Sequence, residues 1–267
     1  MSAYKDKVDN MVWSYSRLSE FAQCRYAFYL KYLEGDADRV AEGNYYAEVG
    51  SFVHEILAKI FNGELTVDEA PGYFAEHFDD NVFYKTRKSI MDSTYEACAN
   101  YFADVSFDWL KDFDIVGVEK KVDIEIGGEK FIGFIDLLLR DKETGEYILI
   151  DHKSAAYPLS KSGTVLKSKQ KSYESYKKQM YLYCKAVHDL YGVYPTKIAW
   201  NHFKSLNWVE IPFMKCEFDE AMQWFSDTIE QIKVEEEFEP TMDFFYCHTL
   251  CDYRNDCEYV KFESGEE

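Results

Sequence analysis

The chain has 267 residues, 47% hydrophobic and 18% aromatic, enough to bury the core of one large domain or of one domain with a helical annex, and too apolar for a disordered chain. A formal charge of −19 argues against a generic nucleic-acid binder, whose phosphate contacts draw on a basic footprint. No apolar run approaches the roughly 18 residues of a membrane span, the opening MSAYKDKVDN has no secretory pattern, and seven irregularly spaced cysteines point to reduced thiols or ligands in a cytoplasmic chain rather than to disulfides.

Leu18, Phe21, Ala22, Tyr26 and Tyr29 recur at helical spacing behind a Ser16 cap and predict a helix over 14–33 with Cys24 inside it. A second helix is expected from near Gly50, with Phe52, Val53, Ile56, Leu57 and Ile60 facing the core and His54 at the margin. Residues 64–113 read as a helical insertion broken near Pro71-Gly72. After Asp114 the apolar period falls to 2: Val116, Val118, Val122, Ile124 and Ile126 predict a strand ending at a Gly127-Gly128 turn. Strands follow at FIGFIDLLLR and EYILIDHK, joined by DKETGE. Residues 161–178 carry six lysines, Lys161, Lys167, Lys169, Lys171, Lys177 and Lys178, against the single acid Glu174; they form a basic strip or a solvated loop. A helix from about Tyr173 to Leu190, a hairpin of KIAWNHF and NWVEIPF, and an amphipathic helix over 217–235 complete the regular elements. The tail YCHTLCDYRNDCEYV breaks the pattern, and with no repeat or low-complexity linker both ends are expected to pack against one central mixed sheet.

Alternation along FIGFIDLLLR puts Asp136 on one face with Ile132, Phe134 and Leu138, and a carboxylate among apolar neighbours needs a partner. In the next strand Asp151 and Lys153 point to the same side, roughly 6 to 7 Å apart. Two carboxylates suit a hard cation such as Mg²⁺, and a lysine beside them can stabilise charge on a phosphate or help deprotonate water. The plain alternative is a buried ion pair between adjacent strands. Glu119 is either a third carboxylate or a solvated one.

The pattern Ile135-Asp136, fourteen residues, then Asp151-His152-Lys153 resembles the PD-(D/E)XK nuclease superfamily, in its RecB-like branch of AddB-type, CRISPR-adaptation and phage recombination exonucleases, with Ile where the signature names Pro. The resemblance runs from Ser14 to Cys257 and implies an α/β, restriction-endonuclease-like fold: a mixed central sheet flanked by helices in a single nuclease domain, 1–267, with a helical insertion at 64–113. It implies a Mg²⁺- or Mn²⁺-dependent DNA exonuclease of recombination, repair, or phage or CRISPR DNA processing. The alternative is a catalytically inactive DNA-binding accessory protein of the same fold. DNA, as single strands or duplex ends, is the implied partner, with a helicase, annealing protein or CRISPR integrase alongside.

Residue by residue, the resemblance implies that His54, with Gly50 before it, binds metal together with Asp136, Asp151 and the backbone carbonyl of His152. Glu119 and Lys153 complete the catalytic set, Gln179 and Tyr183 hold DNA or orient the site, and the six lysines contact DNA. Cys24, Cys247, Cys251 and Cys257 match a set that holds a [4Fe-4S] cluster and staples residues 240–260 to the 14–33 helix. Four thiolates suit a structural Zn²⁺ equally. The late spacing is C-x3-C-x5-C, Arg25 stands where relatives often have proline, and His248 is a fallback ligand. Cys98, Cys184 and Cys216 read as small buried hydrophobes, and the aromatics of YKTRKS and SYESYKK are candidates to stack on unpaired bases.

Overall fold

A computed structural model describes residues 4–34 and 43–263, the last three by backbone alone. Helix α1 spans Lys5–Asp9 and α2 spans Tyr15–Gln23. The α2 cap is Ser14 rather than Ser16: its side chain accepts from the Arg17 N–H. The expected single helix over 14–33 is interrupted at Cys24, whose extended backbone (φ −155°) separates α2 from α3, Arg25–Phe28, and a π-helical turn at Tyr29–Glu34 follows. Cys24 therefore sits at a helix junction, not within a helix. Helix α4, Tyr45–Phe61, starts five residues before Gly50, and α5, Ala70–Asn81, carries Pro71 in its first turn, so that proline opens a helix where a break was expected. Helix α6 covers Lys88–Asp104.

Strands β1 (Phe113–Ile126) and β2 (Glu129–Asp141) are joined by Gly127 and Gly128, both left-handed (φ 60° and 89°), the conformation a tight hairpin demands. Strand β3 (Tyr147–Lys153) is followed by helix α7 (Gln170–Tyr191), then β4 (Lys197–His202), β5 (Asn207–Pro212), α8 (Lys215–Val234) and α9 (Glu258–Glu263). The five strands form one mixed sheet in the order β1-β2-β3-β4-β5. Pairing is antiparallel for β2–β3 and β4–β5, and parallel for β3–β4, where α7 supplies the crossover. This is an α/β fold with helices flanking a mixed sheet, as expected. No helix among the described residues is long and apolar enough to cross a membrane.

The chain divides into two compact units. In the unit formed by Tyr45–Ile124 and Gly133–Ala221, Phe52, Ile56 and Leu57 of α4 pack with Phe74 of α5, Phe102 of α6, and Leu137, Leu139 and Ile150 of the sheet. On β2 the odd-numbered residues Phe131, Gly133, Ile135, Leu137 and Leu139 are buried, whereas Phe134 is 51% exposed. The face that carries Asp136 is thus partly open, not the apolar face the alternation implied. In the other unit (Met1–Asn44, Glu125–Ile132, Met222–Glu267), fully buried Trp13 adds a parallel bridge to Phe131 and its indole donates to Glu129, which also pairs with Lys233. Cys98 and Cys184 are buried; Cys216, in the first turn of α8, is exposed, contrary to expectation.

Gly133 is required by its neighbour. A Cβ there would lie 2.6 Å from Cε1 of Tyr183, so the α7 ring occupies the space a side chain would need. Gly133→Ala is expected to destabilise the protein by about 1–3 kcal/mol in denaturant unfolding, and less than that in a Tyr183→Leu background. Equal losses in both backgrounds would show that the ring is not the obstacle.

Candidate metal and catalytic site

Strand pairing brings the carboxylates together. The β2–β3 register Leu137↔Ile150, continued by one residue, sets Asp136 opposite Asp151, and the His152 N–H donates to Asp136 Oδ2 at 2.7 Å. Asp136 has a side chain only 11% exposed. Burial, and then the Asp151 carboxylate beside it, push its pKa up to about 7, against the pull of His54, the His152 N–H and Lys153. Two carboxylates so placed ask for a cation.

Helix α4 delivers His54 to them. Its Nε2 bonds the His152 carbonyl oxygen at 2.9 Å, and Nδ1 stands 3.5 Å from Asp136 Oδ2 and 3.7 Å from Glu119 Oε1. An Nε2–H donated to a backbone carbonyl leaves the Nδ1 lone pair facing the carboxylates, the tautomer a metal ligand needs. Burial favours a neutral ring, but the Glu119, Asp136 and Asp151 carboxylates outweigh it and hold the imidazolium above its ordinary range. One ligand atom each from His54, Glu119 and Asp136 lies within 4.8 Å of the others.

Glu119 reaches this trio from a backbone kink. Its φ is 45°, a conformation that non-glycine residues rarely adopt, and its side chain, 41% exposed, keeps the outward side of the β1 alternation. Gly50, one turn before His54, lies against Ser154, and the two α4 residues line an open cavity of about 490 Å³ with Ser51, Glu55, Ala58 and Glu119.

Lys153 completes the set. Its Nζ is 2.8 Å from Asp151 Oδ2, donates to Gln179 Oε1 at 2.8 Å, and lies 4.6 Å from the ring centre of Tyr176. Burial opposes its charge, but Asp151, with Asp136 behind it, holds the pKa above the usual lysine range. The side chain stays an ammonium. Tyr183, one turn beyond Gln179, is buried and its phenol is pushed up to about 12 by that burial. The His152 side chain turns the other way, against Phe61 and Asn201, where burial keeps it neutral. Only its backbone faces the site.

With that geometry in place, the profile of the PD-(D/E)XK nuclease superfamily matches residues 12–258. The chain belongs to the PD-(D/E)XK nuclease superfamily. It is similar to a crystal structure of a candidate exonuclease from Eubacterium rectale, with TM-score 0.51 and 14% identity over 97% of this chain and 90% of that one, a likeness of fold. The structure of SSO0001 aligns at TM-score 0.32 and 14% identity over 91% and 93% of the two chains, too loosely to contribute. No curated protein matches the chain significantly.

Against this PD-(D/E)XK frame, the sequence reading missed Gly133 and the place of Tyr176, which it offered only as a ring to stack on bases. Tyr176 lies three residues before Gln179 on the same helix face, a spacing that would have revealed it, while Gly133 gave no signal in a single sequence. The six lysines do not form one open strip. Lys177 is tied to Glu217 at 2.8 Å and Glu174 at 3.1 Å, and Lys169 and Lys178 are half-buried; Lys161, Lys167 and Lys171 are exposed.

Cys24, Cys247, Cys251 and Cys257 share one apolar cluster with Tyr26, Leu30 and Tyr253, around a cavity of about 10 Å³. Burial and the neighbouring thiols push Cys251 up to about 11 and raise Cys247. Among the described residues the 4.8 Å ligand grouping occurs at His54, Glu119 and Asp136 and not among these thiols. The thiols are neighbours without forming a closed tetrahedral site. Nε2 of His248 is buried without a hydrogen-bond partner, and the ring lies against Phe244.

The Asp136 shift fixes a sign. Its folded pKa is raised, so the metal-free protein has its full Asp136-linked stability below the free carboxylate's pKa of about 4, loses it progressively as pH rises to about 7, and changes no further above that. Asp136→Asn is therefore expected to raise the melting temperature of the chelated protein at about pH 9 and to leave it unchanged near pH 4, with Mn²⁺ stabilising the wild type but not the variant. A variant that is less stable at both pH values would show that the carboxylate is not strained.

Proposed function

We propose that the protein is a divalent-metal-dependent deoxyribonuclease that hydrolyses phosphodiester bonds with His54, Glu119, Asp136, Asp151 and Lys153. The observation that carries the reading is the buried Asp136 carboxylate, pressed against Asp151 and facing His54 Nδ1 at 3.5 Å. Superfamily membership supports it. The donor set is hard, carboxylate oxygens and one imidazole, which suits Mg²⁺ or Mn²⁺. Such an ion, when bound, activates water and neutralises charge on the phosphate.

The side chains supply the rest. Asp136, Glu119 and His54 would hold the ion, with Asp151 and the His152 carbonyl completing its shell. Lys153, kept charged by Asp151 and pinned by Gln179, meets the negative charge that builds on the scissile phosphate; an ammonium this strongly held is a charge stabiliser, not a base. Gln179 fixes that ammonium, and Tyr183, packed on Gly133, fixes Gln179's helix against the sheet. The RecB-like motifs favour exonuclease action on DNA ends in recombination, repair, or phage or CRISPR processing, with the exposed lysines beyond β3 guiding the strand.

Linear duplex and single-stranded DNA incubated with Mg²⁺, Mn²⁺ or chelator test the reading. Asp151→Ala and Lys153→Gln are each expected to lower the cleavage rate at least about a hundredfold while binding persists. Cleavage that survives in both variants removes the assigned site, and end-labelled substrates then read polarity.

For the thiols we propose a [4Fe-4S] cluster, with structural Zn²⁺ as the alternative. Zinc, at about 2.3 Å from each sulfur, needs four thiolates drawn tightly together. This set is looser, and its small cavity means that residues around the Tyr246–Leu250 turn must yield to admit a cluster. Protein purified without oxygen is expected to be brown, absorbing near 400 nm, and Cys251→Ser to be colourless with a lower melting temperature. A colourless wild type holding one zinc per chain sinks the iron–sulfur assignment.

A further inference from the structure

The segment joining α5 to α6, residues 82–87, presents its large side chains the wrong way round for stability. Val82 is fully buried, while Phe83 is 68% exposed and Tyr84 39% exposed. A larger ring left in water beside a smaller buried side chain adds nothing to the core. Exposed Lys85, Arg87 and Lys88 follow within four residues of Tyr84, in a chain whose net charge is −19. Lys88 is partly answered by Asp92 at 2.6 Å, and Lys85 donates to the Val82 carbonyl.

This segment is fastened next to the site. The Tyr84 N–H donates to Glu48 Oε2 at 2.8 Å, in the first turn of α4. Glu48, Ser51, Glu55 and Ala58 recur at three- and four-residue spacing on one face of that helix, and the last three line the open cavity with His54 and Glu119. From Glu48 to His54 the helix rises about 9 Å. The two rings therefore stand at the end of the α4 face that leads to the carboxylates.

Exposed aromatic faces beside cations fit a partner that offers both flat bases and phosphates. An unpaired strand does so; a duplex stacks its bases against one another and hides their faces. We propose that Phe83 and Tyr84 form a stacking platform for single-stranded DNA at the mouth of the site, with Lys85 and Arg87 on the phosphates. The proposal rests on the nuclease reading for the identity of the strand and makes an unpaired or frayed end the preferred substrate.

Fluorescence anisotropy with an oligothymidylate and with a blunt hairpin duplex, both in chelator so that nothing is cleaved, tests it. The Phe83→Ala/Tyr84→Ala protein is expected to bind oligothymidylate about ten- to a hundredfold more weakly and the duplex within about twofold of wild type. Unchanged single-strand binding, or equal losses on both ligands, overturns the platform, and equal losses would point to a protein-facing or purely electrostatic surface. Should the double variant fold poorly, Phe83→Trp against Phe83→Gln decides: tight binding by the first and weak by the second supports stacking, equal binding refutes it. If wild type cleaves nothing with any metal yet keeps its aromatic-dependent affinity, the nuclease reading fails and the platform stands. If cleavage depends on Asp136 while binding ignores Phe83, only the platform falls.

Discussion

The structure of the site depends on two carboxylates held face to face across the β2–β3 pair. Antiparallel pairing makes Asp136 and Asp151 neighbours, and the buried flank of the sheet denies them the water that would screen their repulsion. Lys153 answers one of them directly and His54 leans on the other. That leaves a deficit of positive charge, which shows as the raised Asp136 pKa and is on the order of a few kcal/mol when the group is ionised. The unusual features nearby surround this arrangement: the kink at Glu119, the carbonyl that sets the His54 tautomer, the glutamine that pins the lysine, and the glycine that admits Tyr183.

Much of this could be read from residue order, because period-2 alternation and the D…DxK spacing are properties of strands, and strands place side chains by parity. Asp136, Asp151 and Lys153 were legible for that reason, as was the hairpin of β4 and β5. Parity fails where the backbone leaves the strand conformation. Glu119 counts outward by alternation and stays 41% exposed, yet from a kinked backbone its carboxylate stands 3.7 Å from His54 Nδ1. Helical periodicity failed at Cys24 for a related reason: Leu18, Phe21, Tyr26 and Tyr29 keep the same apolar stripe on both sides of the junction, and no proline or glycine marks the break. Phe134 was misplaced because alternation tells which residues share a face but not whether that face is covered.

The acidic charge of the chain reads differently once its lysines are located. Lys177, counted as part of a basic strip, neutralises Glu174 and Glu217 within the protein. Exposed cations are sparse: Lys161 and Lys167 beyond β3, and the Lys85–Lys88 stretch. A nucleic acid near such a surface is repelled from most of it. On the proposed reading its approach would be confined to the places where cations gather, with weak non-specific affinity as the consequence.

The carboxylate pair and the four thiols present one physical situation twice, each inside a single compact unit. In each, burial and a like neighbour hold the proton on at least one group that binds cations only when deprotonated: Asp136 near 7, Cys251 near 11. Packing does not explain a buried pair of carboxylates, whereas the four thiols also fill an apolar cluster as small hydrophobes. On the proposed reading a positive ion would displace those protons, and the free energy of its binding would be folding free energy for that unit. The difference lies in softness. Oxygen and imidazole donors around an open cavity of about 490 Å³ leave room for water and a phosphate, whereas sulfur donors around about 10 Å³ leave room for neither. Donor type and space therefore support the proposed division, in which the first set would do chemistry on a ligand from solution and the second would close the fold.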